Sequence, residues 1–304
     1  MSAIVADTTT TDWSQYDLRK NRMTPARVLL YVFLTVMALL WLLPMLLALY
    51  NSFRDFGYTL EHGYVSFGGF TLDNYPNAWR RGGFSMSFGN SAIITIVAVI
   101  VTLALSSSMA FVLARVKMRF DFTLLAIFVA ANLLPPQSLL SPIYRIFRSM
   151  PLPQWLSESG SLLDTHASVI LINVAFQTGF CTFVLRNYMI GLPAAMYEAA
   201  EIDGASLWRQ FYGITLPLIR PALAALATLQ VAWIYNEFFW ATVLLQSGDK
   251  MPVTSSLNNL KGTFFTDANL LSAGSIIAAL PVLLIFFVLQ KQFVSGLTLG
   301  ATKD

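Results

Sequence analysis

The chain has 304 residues, of which 56% are hydrophobic and 12% charged, with a formal net charge of +3. A soluble domain carries about 25% charge, so the composition excludes a soluble enzyme of this length and implies a polytopic membrane protein. The few basic residues form no dense stripe, which excludes nucleic-acid binding.

Residues 1–27 are polar, with Asp7, Asp12 and Asp17 ahead of Arg19, Lys20, Arg22 and Arg27. They read as a cytoplasmic tail whose only low-complexity stretch is Thr8–Thr11. The apolar run after them is longer than a signal-peptide core and no small-residue cleavage site follows, so it is expected to stay as a membrane anchor. A helix needs about 20 apolar residues to cross the hydrocarbon core. Six segments qualify: Val28–Tyr50, Ser91–Ala114, Phe122–Tyr144, Ala167–Leu185, Ala222–Leu245 and Leu271–Lys291. Several contain Pro or Ser, which bundled spans tolerate because neighbours satisfy the freed backbone groups. The organisation expected is a tail (1–27), a first span with its external loop (28–85), the main membrane domain (86–291) and a C-terminal cytoplasmic tail (292–304). Placing both termini inside puts twelve of the 19 Lys and Arg on the inner side, as the positive-inside rule requires. The external loops are then Asn51–Asn90, with Gly68-Gly69 and Gly82-Gly83, Arg145–His166, and Gln246–Asn269. Cys181 is the single cysteine and lies in an apolar run, so it reads as a small buried hydrophobe.

Between the fourth and fifth spans lies a stretch too polar for a bilayer. Pro193 suits the first turn of a helix, and Ala194–Ile202 is a good helix former. Glu198 and Glu201 are one turn apart and share a face. Ala199 and Ala200 leave a smooth surface for another protein. Asp203-Gly204 breaks the helix. Ser206 can cap a second short helix through Phe211. Leu216-Pro217 is expected to stop that helix and redirect the chain toward Pro221 and the fifth span.

The run Glu198-Ala199-Ala200 to Asp203-Gly204, followed by Ile214-Thr215-Leu216-Pro217, resembles the EAA loop of binding-protein-dependent ABC importers. The rest of the chain is similar to their carbohydrate-uptake, maltose-type permeases. Thr71-Leu72-Asp73-Asn74-Tyr75 looks like the family's Thr-x-x-Asn-Tyr. Asn90-Ser91 opens the second span and Ala114-Arg115 closes it. Leu134-Pro135 with Pro142-Ile143-Tyr144, then Leu185-Arg186-Asn187-Tyr188, also match, as does the tail Gly296–Lys303. Tyr235 departs from the usual Trp before Asn236-Glu237-Phe238. The long N-terminal tail and first external loop are further departures.

The resemblance implies an all-α type I importer transmembrane domain with six spans, multi-pass in the cell membrane. Glu198, Ala199, Ala200, Asp203, Gly204, Ile214, Leu216 and Pro217 would couple it to an ATPase. The implied partners are a second permease subunit, an ATPase dimer and an extracytoplasmic solute-binding protein. ATP and Mg²⁺ would sit on the ATPase, with no cofactor on this chain. The implied solute is a sugar or a sugar-like compound.

Within the fifth span, Glu237 is an ionisable group in apolar surroundings, which faces a cavity or a partner. Helical spacing places Gln230, Trp233, Glu237 and Trp240 on one face. Aromatic planes alternating with hydrogen-bonding groups suit a sugar, so Gln230, Trp233, Asn236 and Glu237 are the expected path residues. The alternative is that Glu237 is a helix-packing acid and the tryptophans meet lipid. Asn132, Gln137, Asn173 and Gln177 read as interhelical hydrogen-bonding groups. There is no G-x-x-x-x-G-K-[ST], no H-E-x-x-H around His62 or His166, and no G-x-S-x-G. An importer permease for a non-sugar solute stays open. So does an ion-coupled carrier using Glu237, but that leaves the acidic loop without a role.

Overall fold

The computed structural model describes residues 24–116, 119–262 and 265–298, the side chains of residue 289 and of 291 onward excepted. Most of the N-terminal tail, Lys117 and the last residues of the Gly296–Lys303 motif lie outside them. The first helix, α1 (Pro25–Ser52), starts on a proline in its opening turn. Its apolar window has no buried residue, as befits a helix made to meet lipid or another subunit. The chain from Asn51 onward forms a second unit.

That second unit opens with α2 (Phe56–His62) and α3 (Asn74–Arg81). Both are organised around a fully buried Arg54. Its guanidinium donates to the carbonyls of Gly63 and Gly68, to Asn51 Oδ1 and to Ser66 Oγ. Asn74 Nδ2 ties α3 back to the carbonyls of Ser52 and Arg54. The long first external loop is therefore an ordered cap, which its polar sequence did not indicate.

The bundle follows: α4 (Phe84–Arg115), α5 (Asp121–Ala131), α6 (Leu140–Ser149), α7 (His166–Ile190), α8 (Ala194–Ile202), α9 (Leu207–Gln210), α10 (Arg220–Tyr235), α11 (Phe239–Leu244) and α12 (Ala268–Thr298). Among the described residues four helices are long and apolar enough to span a membrane, and two bent pairs raise the number to as many as six. The first, second, fourth and sixth expected segments each fall on one long helix; the third falls on α5 and α6, and the fifth on α10 and α11, so neither of these is a single helix. After α5 the chain turns by 96°. The cause lies in Leu134-Pro135-Pro136: a proline lacks the N–H, and its predecessor is pushed out of helical dihedrals. The segment Leu207–Leu218 meets α10 at 71°.

The core has three parts. Ile94, Ala98, Val169, Ile172, Ile234 and Leu244 join α4, α7, α10 and α11. Ala110, Cys181, Leu185, Tyr197, Phe211 and Ile219 knit the end of the bundle that carries α8. Ala78, Phe84, Tyr235, Leu270 and Ala273 bring α3, α4, α10 and α12 together. Small residues let the spans approach closely. At Gly179 of α7, an added Cβ would lie 2.8 Å from the Phe128 carbonyl of α5. Cys181 is fully buried, as its sequence surroundings imply.

Candidate functional site: a docking helix and a broken span

Helix α8 ends in a Schellman motif. Ala205 N–H donates to the Ala200 carbonyl at 2.8 Å and Gly204 N–H to the Glu201 carbonyl at 3.0 Å. Gly204 supplies the left-handed residue, at φ +72°. Ser206 Oγ then accepts from Arg209 N–H and starts α9.

The face of α8 that carries Glu198, Ala199 and Glu201 is exposed, as is Ile202 next to the turn. Ala200, expected on the approachable surface, is instead buried with Tyr197 against the bundle. The helical period requires this: Tyr197 and Ala200 are three apart and share the inward side. Ile214 and Leu216 are half-buried and pack against the bundle core, whereas Pro217 is exposed. Leu216-Pro217 does not end the helix. A π-turn over Phe211–Thr215 lengthens the hydrogen-bond step, helix continues through Leu218, and the bend falls at the fully buried Ile219. Proline is tolerated there because it enters in the first turn of the new segment.

Two residues lock α8 to the spans. The Arg115 guanidinium at the end of α4 stacks 3.3 Å above the Tyr197 ring. Arg115 also donates to the Met189 carbonyl at the end of α7. The Tyr197 hydroxyl meets Thr215 Oγ1 at 3.0 Å, on the segment leading to α10. Sequence reasoning missed Tyr197 and Thr215. It had placed Arg115 only as the close of the second span.

The fifth span is interrupted at Asn236–Phe238. Glu237 supplies the reason. Its two carboxylate oxygens accept the N–H groups of Trp240 (2.7 Å) and Ala241 (3.0 Å), two of the free donors in the first turn of α11. A carboxylate at a helix N-terminus satisfies those donors and opposes the helix dipole. The single face expected for Gln230, Trp233, Glu237 and Trp240 does not form, because α10 stops at Tyr235. Gln230 is fully buried, with its amide donating to Gln177 Oε1 and Cys181 Sγ on α7. Trp240 is buried. Trp233 remains exposed beside Phe180, and Asn236 is exposed at the break.

At the opposite end of the bundle, Asp164 joins two loops. It is the one non-glycine residue with positive φ among the described residues, at +58°. Its carboxylate accepts the N–H groups of Gln246 and Ser247, the Ser247 hydroxyl and Lys250 Nζ at 3.1 Å. Burial alone would raise its pKa; the hydrogen bonds from Ser247, Gln246 and Lys250 outweigh that and hold it at about 2.

Residues 105–298 match the family of binding-protein-dependent transport system inner membrane components. The chain is 33% identical over 264 residues to a probable ABC transporter permease of Pyrococcus horikoshii, covering 84% of this chain and 91% of that protein. It is 31% identical over 279 residues to an arabinooligosaccharides transport system permease of Halalkalibacterium halodurans, covering 90% and 94%. A solved bacterial ABC transporter involved in alginate import shares the fold, with a TM-score of 0.74 at 22% identity over 90% of this chain and all of that one. The match over residues 105–298 and the identity to the Pyrococcus and Halalkalibacterium permeases place the bundle, and the chain belongs to the family of binding-protein-dependent ABC transporter inner-membrane permeases.

Proposed function

We propose that this chain is one half of the translocation path of an ATP-driven importer of saccharides. It pairs with a second permease subunit. An ATPase dimer carrying ATP and Mg²⁺ docks on α8, and an extracytoplasmic solute-binding protein delivers the solute. The loop holding α8 and both termini face the cytoplasm. The observation that carries this reading is the mounting of α8: Glu198, Ala199, Glu201, Asp203 and Gly204 are exposed, while Tyr197 joins the helix to Arg115 and Thr215. A push on α8 therefore reaches α4, α7 and α10 together, as a rigid-body switch between inward- and outward-facing states needs. The named substrate class of the arabinooligosaccharide relative supports saccharides as the solute.

Within the path, Trp233 and Asn236 meet the solute at the break in the fifth span. Glu237 shapes that break, and Gln230 holds α10 to α7. The test is reconstitution of the chain with a second permease, an ATPase and a binding protein of the same transport system. ATP-dependent uptake of labelled oligosaccharide into proteoliposomes is the expected result. Uptake that persists without the ATPase, or driven by an ion gradient, would overturn it.

A further inference from the structure

We propose that the extracytoplasmic lip of this subunit carries a saccharide subsite of its own, formed between Trp79, Arg80, Asp249 and Asn259. The proposal rests on the orientation and solute class given above, and it names a site outside the membrane path. A cavity of about 360 Å³ opens between the turn joining α3 to α4 and the loop after α11. That is within the roughly 300–1,000 Å³ range of small-molecule sites.

Trp79 forms a rigid platform. Its Nε1 donates to Ser85 Oγ at 3.0 Å, and its ring lies 5.6 Å from Phe88 and edge-on to Phe84. Trp79 is nevertheless 42% exposed. The turn Gly82-Gly83 makes this fold-back possible: Gly83 sits at φ +64°, and a Cβ on Gly82 would come within 2.8 Å of the Ala78 carbonyl.

The opposite wall is fixed by the start of α4. Asn90 Nδ2 donates to the carbonyls of Asp249 (2.6 Å) and Met251 (3.1 Å), and Ser91 Oγ accepts from Val253 N–H. These bonds engage the backbone of Asp249 and leave its carboxylate at the cavity. Arg80 is steadied by Asn77 Oδ1 at 2.9 Å. Neither Arg80 nor Asp249 takes part in an ion pair among the described residues. An open aromatic face beside a carboxylate, a guanidinium and an amide is the chemistry that recognises a pyranose. The ring's CH face lies on the indole and its hydroxyls meet donors and acceptors around the rim.

The test uses the full chain in nanodiscs, titrated with maltotriose, raffinose, arabinotriose and diacetylchitobiose by saturation-transfer NMR. At least one probe should give a signal. Trp79→Ala should weaken it about tenfold, and Asp249→Asn or Asn259→Ala about three- to tenfold. Trp79→Phe should largely retain it. Asp249 and Asn259 are exposed and make no side-chain bond among the described residues, so their variants report on binding with little effect on folding. No probe signal, or a signal indifferent to all three positions, overturns the subsite. So does loss of binding-protein capture in these variants with the sugar signal unchanged, which would make the cavity a protein contact. Uptake by the assembled complex is read separately. Uptake without a Trp79-dependent signal removes the subsite and keeps the importer. A Trp79-dependent signal without any uptake removes the importer reading and keeps the subsite.

Discussion

The guanidinium carbon of Arg115 lies over the ring of Tyr197, 3.3 Å from its centre. Arg115 ends α4 and Tyr197 lies on the inward side of α8, so the contact ties that helix to α4. Arg115 Nε has no acceptor among the described residues, so the stack and the Met189 bond carry the interaction. A cation–π contact shielded from water is worth about 2 kcal/mol.

Arg115→Lys keeps the charge and loses the planar stack. It should leave the protein in the membrane and lower uptake per assembled complex several-fold. Tyr197→Phe, which removes only the hydroxyl bond to Thr215, should cost less, about 1 kcal/mol of stability. Uptake normalised to co-purified ATPase checks both. Equal uptake in Arg115→Lys and wild type would contradict the link.

Gly204→Ala should weaken the turn by about 1–2 kcal/mol, because a side chain disfavours φ +72°. There is open space around the position, so strain rather than collision is the cause. Glu198→Lys leaves the turn intact and reverses the exposed charge. Both variants should insert normally and recover less ATPase on co-purification. Wild-type recovery in Glu198→Lys would place the docking surface elsewhere.

Glu237→Gln keeps the shape but leaves one oxygen to accept the two N–H groups that now share the carboxylate. The expected outcome is a loss of about 1–3 kcal/mol in stability, from a donor left unsatisfied at the start of α11. Trp233→Ala and Asn236→Ala should instead change uptake or selectivity at unchanged complex yield. Complex yield and normalised uptake, measured side by side, separate the two roles. A Glu237→Gln protein of normal stability with altered solute preference would return Glu237 to the path.

Asp164→Asn should lower thermal stability in detergent at pH 7. Its folded pKa, about 2, lies below the ordinary 3.8 of the unfolded chain. The carboxylate therefore adds stability that is complete above about pH 4 and fades as pH falls toward 2, roughly 2 kcal/mol in all. Asn tolerates left-handed dihedrals, so the backbone at φ +58° is kept. Melting curves of both proteins from pH 7 to pH 2.5 should converge at the acid end. A gap independent of pH would show that charge is not the source.

Apolar run length located the four long apolar helices among the described residues, because a bilayer demands about 20 apolar residues wherever a helix crosses it. The acidic helix and its glycine stop were legible too, since caps and left-handed turns are local chemistry that residue type dictates. Where those helices bend was not. Pro217 reads as a stop, yet a π-turn upstream carries the helix past it to Ile219. Asn236-Glu237-Phe238 contains no breaker, yet the span divides there because Glu237 caps the next helix. The inward side of Ala200 and the stack of Arg115 on Tyr197 depend on neighbours far along the chain. Asp164, Asn90 and Arg54 are polar residues in loops by sequence. Only the packed structure makes them clasps, because the carbonyls and N–H groups they satisfy belong to other segments, brought within reach by the fold alone.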